Sequence, residues 1–194
     1  RRSARPDLYD LFQDAPATLI PRRNRLEITE RVGADGSVVT PLAEAEIEGL
    51  IADIRARNVE AIAVSLLFSF LNPAHERRLG EALRDAFPDK PVYLSSEVLP
   101  EIREFERLST ACANAYVRPV AERYLRRLRD ELAGVSAEAL PGREAPDLLV
   151  MQSDGGMLDP DTAAAFPIRI VESGPAGGVI AAARLGADGA APST

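Results

Sequence analysis

Hydrophobic positions alternate between strand-like and helix-like spacing along this chain. From Arg25 to Leu42, Leu26, Ile28, Val38 and Val39 flank Gly33-Ala34-Asp35-Gly36, a turn-rich tetrad that predicts a β-hairpin. Ile47, Leu50, Ile51 and Ile54 then recur at helical spacing, which predicts an amphipathic helix over Leu42 to Asn58. The nearly unbroken apolar run from Glu60 to Phe70 predicts a central strand covered on both faces. Asn72-Pro73-Ala74-His75-Glu76 carries a capping side chain, a proline and an acid in the order of a helix start, and the helix should reach about Phe87.

The second half repeats the alternation. Pro91 to Ser96 reads as a short strand, and Pro100 to Glu106 as a charged connection into a long helical region ending near Leu132. Val117, Val120, Tyr124, Leu128 and Leu132 share one stripe, read as core, and Pro119 should bend or divide the helix. Gly134 to Pro146 has the composition of a surface linker. Strands are expected over Asp147 to Gln152 and Pro167 to Val171, a short helix from Asp159-Pro160, and a last helix from Pro175 to about Leu185. The first twenty residues, interrupted by Pro6 and Pro16, read as an irregular lead-in. Strands alternating with helices imply an α/β fold with a mostly parallel or mixed sheet covered by helices on both faces.

Composition narrows the function. The 194 residues include 46% hydrophobic residues, enough for a core, and carry a net charge of −7. An acidic chain does not suit a nucleic-acid binder, and Arg123, Arg126, Arg127 and Arg129, interleaved with Asp130 and Glu131, read as a solvated helix face. There is neither an apolar run of membrane-spanning length nor the apolar core of a signal peptide, which fits a cytoplasmic protein without a membrane partner. The single cysteine, Cys112, and single histidine, His75, leave no His/Cys metal-binding pattern. His75 is read as helix-start packing or capping.

Two Gly-rich turns leave the ends of apolar strands, the place where open α/β sheets bind ligands. At Ser153, Asp154, Gly155 and Gly156 the glycines permit positive φ and close backbone approach, and Asp154 could hold a ligand hydroxyl or a metal-bound water. The alternative is an Asx-type turn joining strand to helix. The second turn comprises Ser173, Gly174, Gly177 and Gly178, with Pro175 between them. It could direct backbone amides at a phosphate or let two helices cross closely. Its spacing matches neither a Walker loop nor Gly-x-Gly-x-x-Gly.

Six dispersed segments carry a resemblance. Pro-Arg-Arg-Asn-Arg-Leu-Glu-Ile-Thr-Glu-Arg-Val (21–32), Asn-Pro-Ala-His-Glu (72–76) and Ser-Ser-Glu-Val-Leu-Pro-Glu-Ile-Arg-Glu-Phe-Glu-Arg (95–107) are similar to the hydantoinase A/5-oxoprolinase family. So are Asn-Ala-Tyr-Val (114–117), Met-Gln-Ser-Asp-Gly-Gly (151–156) and Ser-Gly-Pro-Ala-Gly-Gly-Val (173–179). The resemblance implies a lobe like those of actin, sugar kinases and chaperone ATPases, of the ribonuclease H-like type, with 168–185 as a unit connecting two lobes. It implies residues 1–106 as the latter part of a first lobe and 107–194 as the start of an ATPase domain.

The implied activity is ATP-dependent hydrolysis of a cyclic amide such as a hydantoin or 5-oxoproline, with ATP and Mg2+ as cofactors and a hydantoinase B-type partner subunit. A β-type subunit of acetone carboxylase and a non-catalytic binding or assembly domain are the alternatives. The family's Asp-x-Gly-Gly-Thr phosphate hairpins do not occur in these 194 residues. The chain is therefore expected to be a central part of a longer protein, inactive by itself and without tight cofactor binding.

Overall fold

The computed structural model describes residues 9, 12, 18–139 and 147–189. The chain divides after Ala115 into two compact units, Arg1–Ala115 and Tyr116–Thr194.

In the first unit, β1 (Arg31–Val32) and β2 (Val38–Thr40) form the expected antiparallel hairpin. Its turn closes through Gly33 N–H to the Ser37 carbonyl at 2.7 Å, and Gly36 takes φ +82°, a conformation that suits glycine. The Asp35 carboxylate accepts from the Ser37 hydroxyl at 2.7 Å and its N–H at 3.0 Å, which holds its pKa below the ordinary value.

Helix α1 (Glu44–Arg57) follows and ends at Asn58, whose left-handed φ of 46° turns the chain out of the helix. Strand β3 (Ile62–Val64) pairs in parallel with β4 (Val92–Leu94), with α2 (Ala74–Ala86) between them in sequence. Ile47 and Ile54 of α1, Leu79 and Leu83 of α2, and Ile62, Val64, Val92 and Leu94 of the strands form one buried core. Burial of each such side chain contributes about 1.5–3 kcal/mol relative to leaving it in water. Gly80 lets α2 approach the sheet: a Cβ there would stand 2.7 Å from Leu94 Cδ2.

The strand expected over Glu60 to Phe70 stops at Val64, because the next backbone groups bond to side chains. The Glu76 carboxylate accepts from Leu66 N–H at 2.7 Å, and Arg107 Nη2 donates to the Leu66 carbonyl at 2.7 Å. Phe68, at φ 56°, then turns the chain, and its carbonyl accepts from Leu71 and Asn72. The strand expected to Ser96 likewise ends at Leu94, where α3 (Ser95–Val98) begins. Helix α2 starts one residue later than the sequence suggests, with Asn72 Oδ1 accepting from Ala74 N–H at 3.1 Å.

Helix α4 (Glu104–Ala139) runs undivided through Pro119 and extends seven residues past Leu132. Gly134 to Ala139, read as linker, are therefore helical, and 140–146 lie outside the described residues. The expected core stripe is also corrected: Val120 and Tyr124 are 68% and 63% exposed, and Leu132 is exposed too. The buried face of α4 in the second unit is instead marked by Leu125, packed with Ala163 and Ala164 of α5 (Pro160–Ala165). The arginines of α4 occupy a solvated face: Arg127 pairs with Glu131 at 2.7 Å and Arg129 with Asp161 at 3.2 Å.

In the second unit, β5 (Val150–Met151) and β6 (Met157–Leu158) form an antiparallel hairpin; β5 is half-buried rather than buried. Asp159 caps α5, accepting from Thr162 N–H at 2.9 Å, with Pro160 at the first helical position. The strand expected over Pro167 to Val171 is a 3-10 turn, Pro167–Arg169. Pro167 has no N–H for a ladder, and its carbonyl accepts from Ile170 at 3.0 Å within the turn. The last helix, α6 (Ser173–Gly189), starts two residues before Pro175 and outlasts Leu185. The fold class is α/β; among the described residues the strands form three two-stranded sheets, of which β3–β4 is parallel.

Candidate functional site

Ser153 to Gly156 form the turn between β5 and β6. Gln152 N–H donates to the Gly156 carbonyl at 2.8 Å, and Gly155 N–H to the Gln152 carbonyl at 3.1 Å. Gly155 has φ +90°, where an L side chain is strained, so glycine is required by the backbone itself. Asp154 Oδ1 accepts from Gly156 N–H at 2.9 Å, which makes the Asx turn while the residue stays exposed. The two readings of this turn are thus compatible in one geometry.

Ser173, Gly174, Gly177 and Gly178, expected in a second turn, lie within the start of α6 itself. A helix leaves its first four N–H groups without intrahelical partners, and here those groups belong to Glu172, Ser173, Gly174 and Pro175. Glu172 N–H donates to Ser153 Oγ at 3.1 Å, and Ser173 N–H to the Ile170 carbonyl at 3.2 Å. Pro175 has no N–H. Gly174 therefore provides the remaining first-turn donor, one amide rather than the row that a phosphate loop presents.

The fold brings the two turns together. Ser153 N–H donates to the Arg169 carbonyl at 2.7 Å, while its hydroxyl holds Glu172. A Cβ on Gly155 would lie 2.9 Å from Ile180 Cδ1, and one on Gly177 would lie 3.1 Å from Met151 Sδ. Each hairpin–helix approach thus has a glycine on one partner and a bulky side chain on the other. Gly174 and Gly178, one helical turn apart, have open space where their Cβ atoms would be. One side of α6 is locked to the hairpin, and the Gly174–Gly178 side is bare. The sequence marked the glycines; it gave no sign that Met151 and Ile180 are their counterparts or that Glu172 contributes its amide to Ser153.

His75 belongs to the first unit and pairs through Nδ1 with Glu30 Oε2 at 2.8 Å, both side chains nearly buried. No group of three or more His, Cys, Asp or Glu residues among those described is arranged to hold a metal. Cys112 is buried, which raises its thiol pKa and disfavours the reactive thiolate. A buried polar cluster overlooked in the sequence sits in the same unit. Ser95 Oγ donates to Glu76 Oε1 at 2.7 Å and accepts from Arg107 Nε at 2.9 Å. Its members occupy two of the resembling segments, 72–76 and 95–107, and it organises loops rather than opening a site. No helix among the described residues is long and apolar enough to cross a membrane.

An α/β chain of two units, the second carrying interlocked Gly-rich turns, defines the class of the protein. Residues 1–87 match the family model of the hydantoinase/oxoprolinase N-terminal region, and 107–191 match that of hydantoinase/oxoprolinase. The chain belongs to the hydantoinase/oxoprolinase family.

An uncharacterized protein of Methanocaldococcus jannaschii is 38% identical over 94% of this chain and 26% of its own length. The caprolactamase alpha subunit of Pseudomonas jessenii is 37% identical over 87% of this chain and 23% of its own. Its solved ATP-dependent enzyme superposes with a TM-score of 0.64 at 34% identity, covering 83% of this chain and 23% of the other. The nucleotide-free structure from ATP-dependent acetone carboxylation superposes with a TM-score of 0.74 at 29% identity, covering 88% and 23%. The chain spans about a quarter of the length of these relatives.

Proposed function

We propose that this chain is a central part of an ATP-dependent enzyme that hydrolyses a cyclic amide. In this reading residues 1–106 complete a first lobe and 107–194 begin the ATPase domain. The nucleotide lies beside Ser153, Asp154, Gly155 and Gly156 and along Ser173, Gly174, Gly177 and Gly178. The observation that carries the reading is the interlock of the hairpin turn with α6, which places the exposed Asp154 and the open Gly174 amide in one packed unit of a family whose solved relatives use ATP.

The described residues fit a nucleotide's edge better than they fit its cation. The bare Gly174–Gly178 side can accept a flat or anionic group closely, whereas no three-ligand acidic cluster is present among them to hold Mg2+. We therefore place no magnesium ligand set on these residues. ATP, when bound, supplies a phosphoryl group that turns an amide oxygen into a better leaving group. This chain's share is to hold the turn: Gly155 and Gly177 set the packing distance, Ser153 fixes Glu172, and Gly174 offers a donor. Catalytic groups lie elsewhere in the protein, so the 194-residue segment alone turns over no ATP. A hydantoinase B-type subunit is the proposed partner, in keeping with the alpha-subunit designation of the caprolactamase relative, and the proposed compartment is the cytoplasm.

The test is nucleotide turnover by the full-length gene product with its partner subunit, in magnesium buffer, with caprolactam, hydantoin or 5-oxoproline added. Stimulation by a cyclic amide is expected. A second reading, a β-type subunit of a ketone carboxylase, draws on the higher TM-score of the acetone carboxylase structure. Stimulation by acetone with bicarbonate, and by no cyclic amide, would select it. ATP turnover that responds to neither would remove both.

A further inference from the structure

We propose that Ser153 is a positioning residue that sets where the start of α6 stands relative to the hairpin turn. Nothing else in the described hairpin reaches the connection from the 3-10 turn to α6 through both backbone and side chain. Ser153 N–H donates to the Arg169 carbonyl at 2.7 Å, and Ser153 Oγ accepts from Glu172 N–H at 3.1 Å. One residue thus grips the connection at two points three residues apart, on either side of Ile170 and Val171.

Two packing contacts extend the grip along α6. Gly177 faces Met151 Sδ, two residues before Ser153, and Ile180 faces Gly155, two residues after it. The hairpin therefore meets α6 on both sides of Ser153, and the hydroxyl supplies a side-chain hydrogen bond between the two packing contacts. Asp154 hangs from the same turn, its Oδ1 engaged by Gly156 N–H at 2.9 Å. Moving the Ser153 hydroxyl would change the separation of Asp154 from Gly174, the exposed carboxylate and the open amide of the candidate site.

The inference rests on the ATP reading of that site. The ligand class is accordingly a nucleoside triphosphate, and Ser153 acts on it through Glu172 and Gly174 rather than by contact. A serine does this better than an aspartate, because an added negative charge beside a bound polyphosphate would repel it. Threonine keeps the hydroxyl, and alanine removes it while leaving the backbone bond to Arg169.

The experiment uses the full-length gene product with its partner subunit and compares wild type, Ser153→Ala and Ser153→Thr. Amide hydrogen exchange of the peptide containing Glu172 and KM and kcat for ATP are measured side by side. In Ser153→Ala, exchange at Glu172 should rise by about three- to tenfold, as loss of one neutral hydrogen bond allows. KM for ATP should rise by a similar factor, with a smaller fall in kcat, and Ser153→Thr should restore both. Unchanged exchange in Ser153→Ala overturns the proposal, as does faster exchange with an unchanged KM. If the wild-type protein neither binds nor turns over ATP, the ATP reading fails and the nucleotide role of Ser153 falls with it. The exchange comparison then still decides whether the serine fixes the α6 start.

Discussion

Glu76 and Arg107, both without exposed surface, are joined through a single hydroxyl, that of Ser95. Glu76 also accepts from Leu66 and Ser96 N–H, while Arg107 donates to the Leu66 and Glu101 carbonyls and lies 5.5 Å over the Phe70 ring. Buried charges are tolerated when their hydrogen-bonding capacity is met. Ser95→Ala leaves Arg107 Nε and one Glu76 oxygen short of a partner and should cost about 2–3 kcal/mol. Arg107→Met removes the donors to Ser95 Oγ and to the Leu66 and Glu101 carbonyls and the ion pair with Glu104, and should cost more, above about 3 kcal/mol. Urea unfolding followed by circular dichroism measures both; a Ser95→Ala midpoint matching wild type would contradict the account.

Two helical glycines should respond in opposite directions to alanine. Gly49, exposed in α1, has open space where an alanine Cβ would stand, so Gly49→Ala should stabilise by about 0.5–1 kcal/mol through reduced backbone freedom in the unfolded chain. Gly80 gains the same backbone term, but its Cβ meets three atoms of the fully buried Leu94 between 2.7 and 3.3 Å. Overpacking of that kind costs about 1–3 kcal/mol, so Gly80→Ala should be net destabilising. Thermal midpoints of the two variants that move the same way would refute the packing argument at Gly80.

At the candidate site, Gly155→Ala and Gly177→Ala should also differ. Alanine at residue 155 must adopt φ +90° and displace Ile180 Cδ1 from 2.9 Å, a cost of about 1–3 kcal/mol. At Gly177 the neighbour is the Met151 thioether at 3.1 Å, an adaptable side chain that can give way, and the cost should stay below about 1 kcal/mol. Proteolytic susceptibility of the 147–189 region reads the difference. Equal susceptibility would mean that positive φ and the Ile180 contact carry no weight at this turn.

These sites also show what a linear reading can reach. The hairpin over Arg31–Thr40 and the start of α5 were legible because their determinants, Gly33 to Gly36 and Asp159-Pro160, act within a few residues. The apolar run after Ile62 suggested a long strand, yet Leu66 is claimed by Glu76, ten residues on, and by Arg107, forty-one residues on. Periodicity carries no record of such partners. In α4 the apolar residues occupy more than one face, and the packing of Leu125 against α5 selects a face that the Val120–Tyr124 stripe does not reveal. Both Gly-rich turns could be located from composition, but their meeting depends on Ser153 and Glu172, nineteen residues apart.

The cap at Asp159 makes a pH-dependent prediction with a definite sign. Hydrogen bonding from Thr162, its side chain first and its backbone N–H second, lowers the Asp159 pKa below the ordinary 3.8. A carboxyl whose pKa is lower in the folded state contributes stability fully above its unfolded value, and loses it as pH falls through the folded value. Asp159→Ala should therefore unfold at lower temperature than wild type at neutral pH. The gap should narrow as pH falls through the folded value, down to what a neutral capping oxygen still contributes. Asp159→Asn keeps a capping oxygen without the titration, so its difference from Asp159→Ala should stay level into acid, where the wild-type difference falls towards it. Melting curves of the three proteins between neutral and strongly acidic pH separate these cases. A wild-type advantage over Asp159→Ala that grows on acidification would reverse the sign and rule out a carboxylate cap.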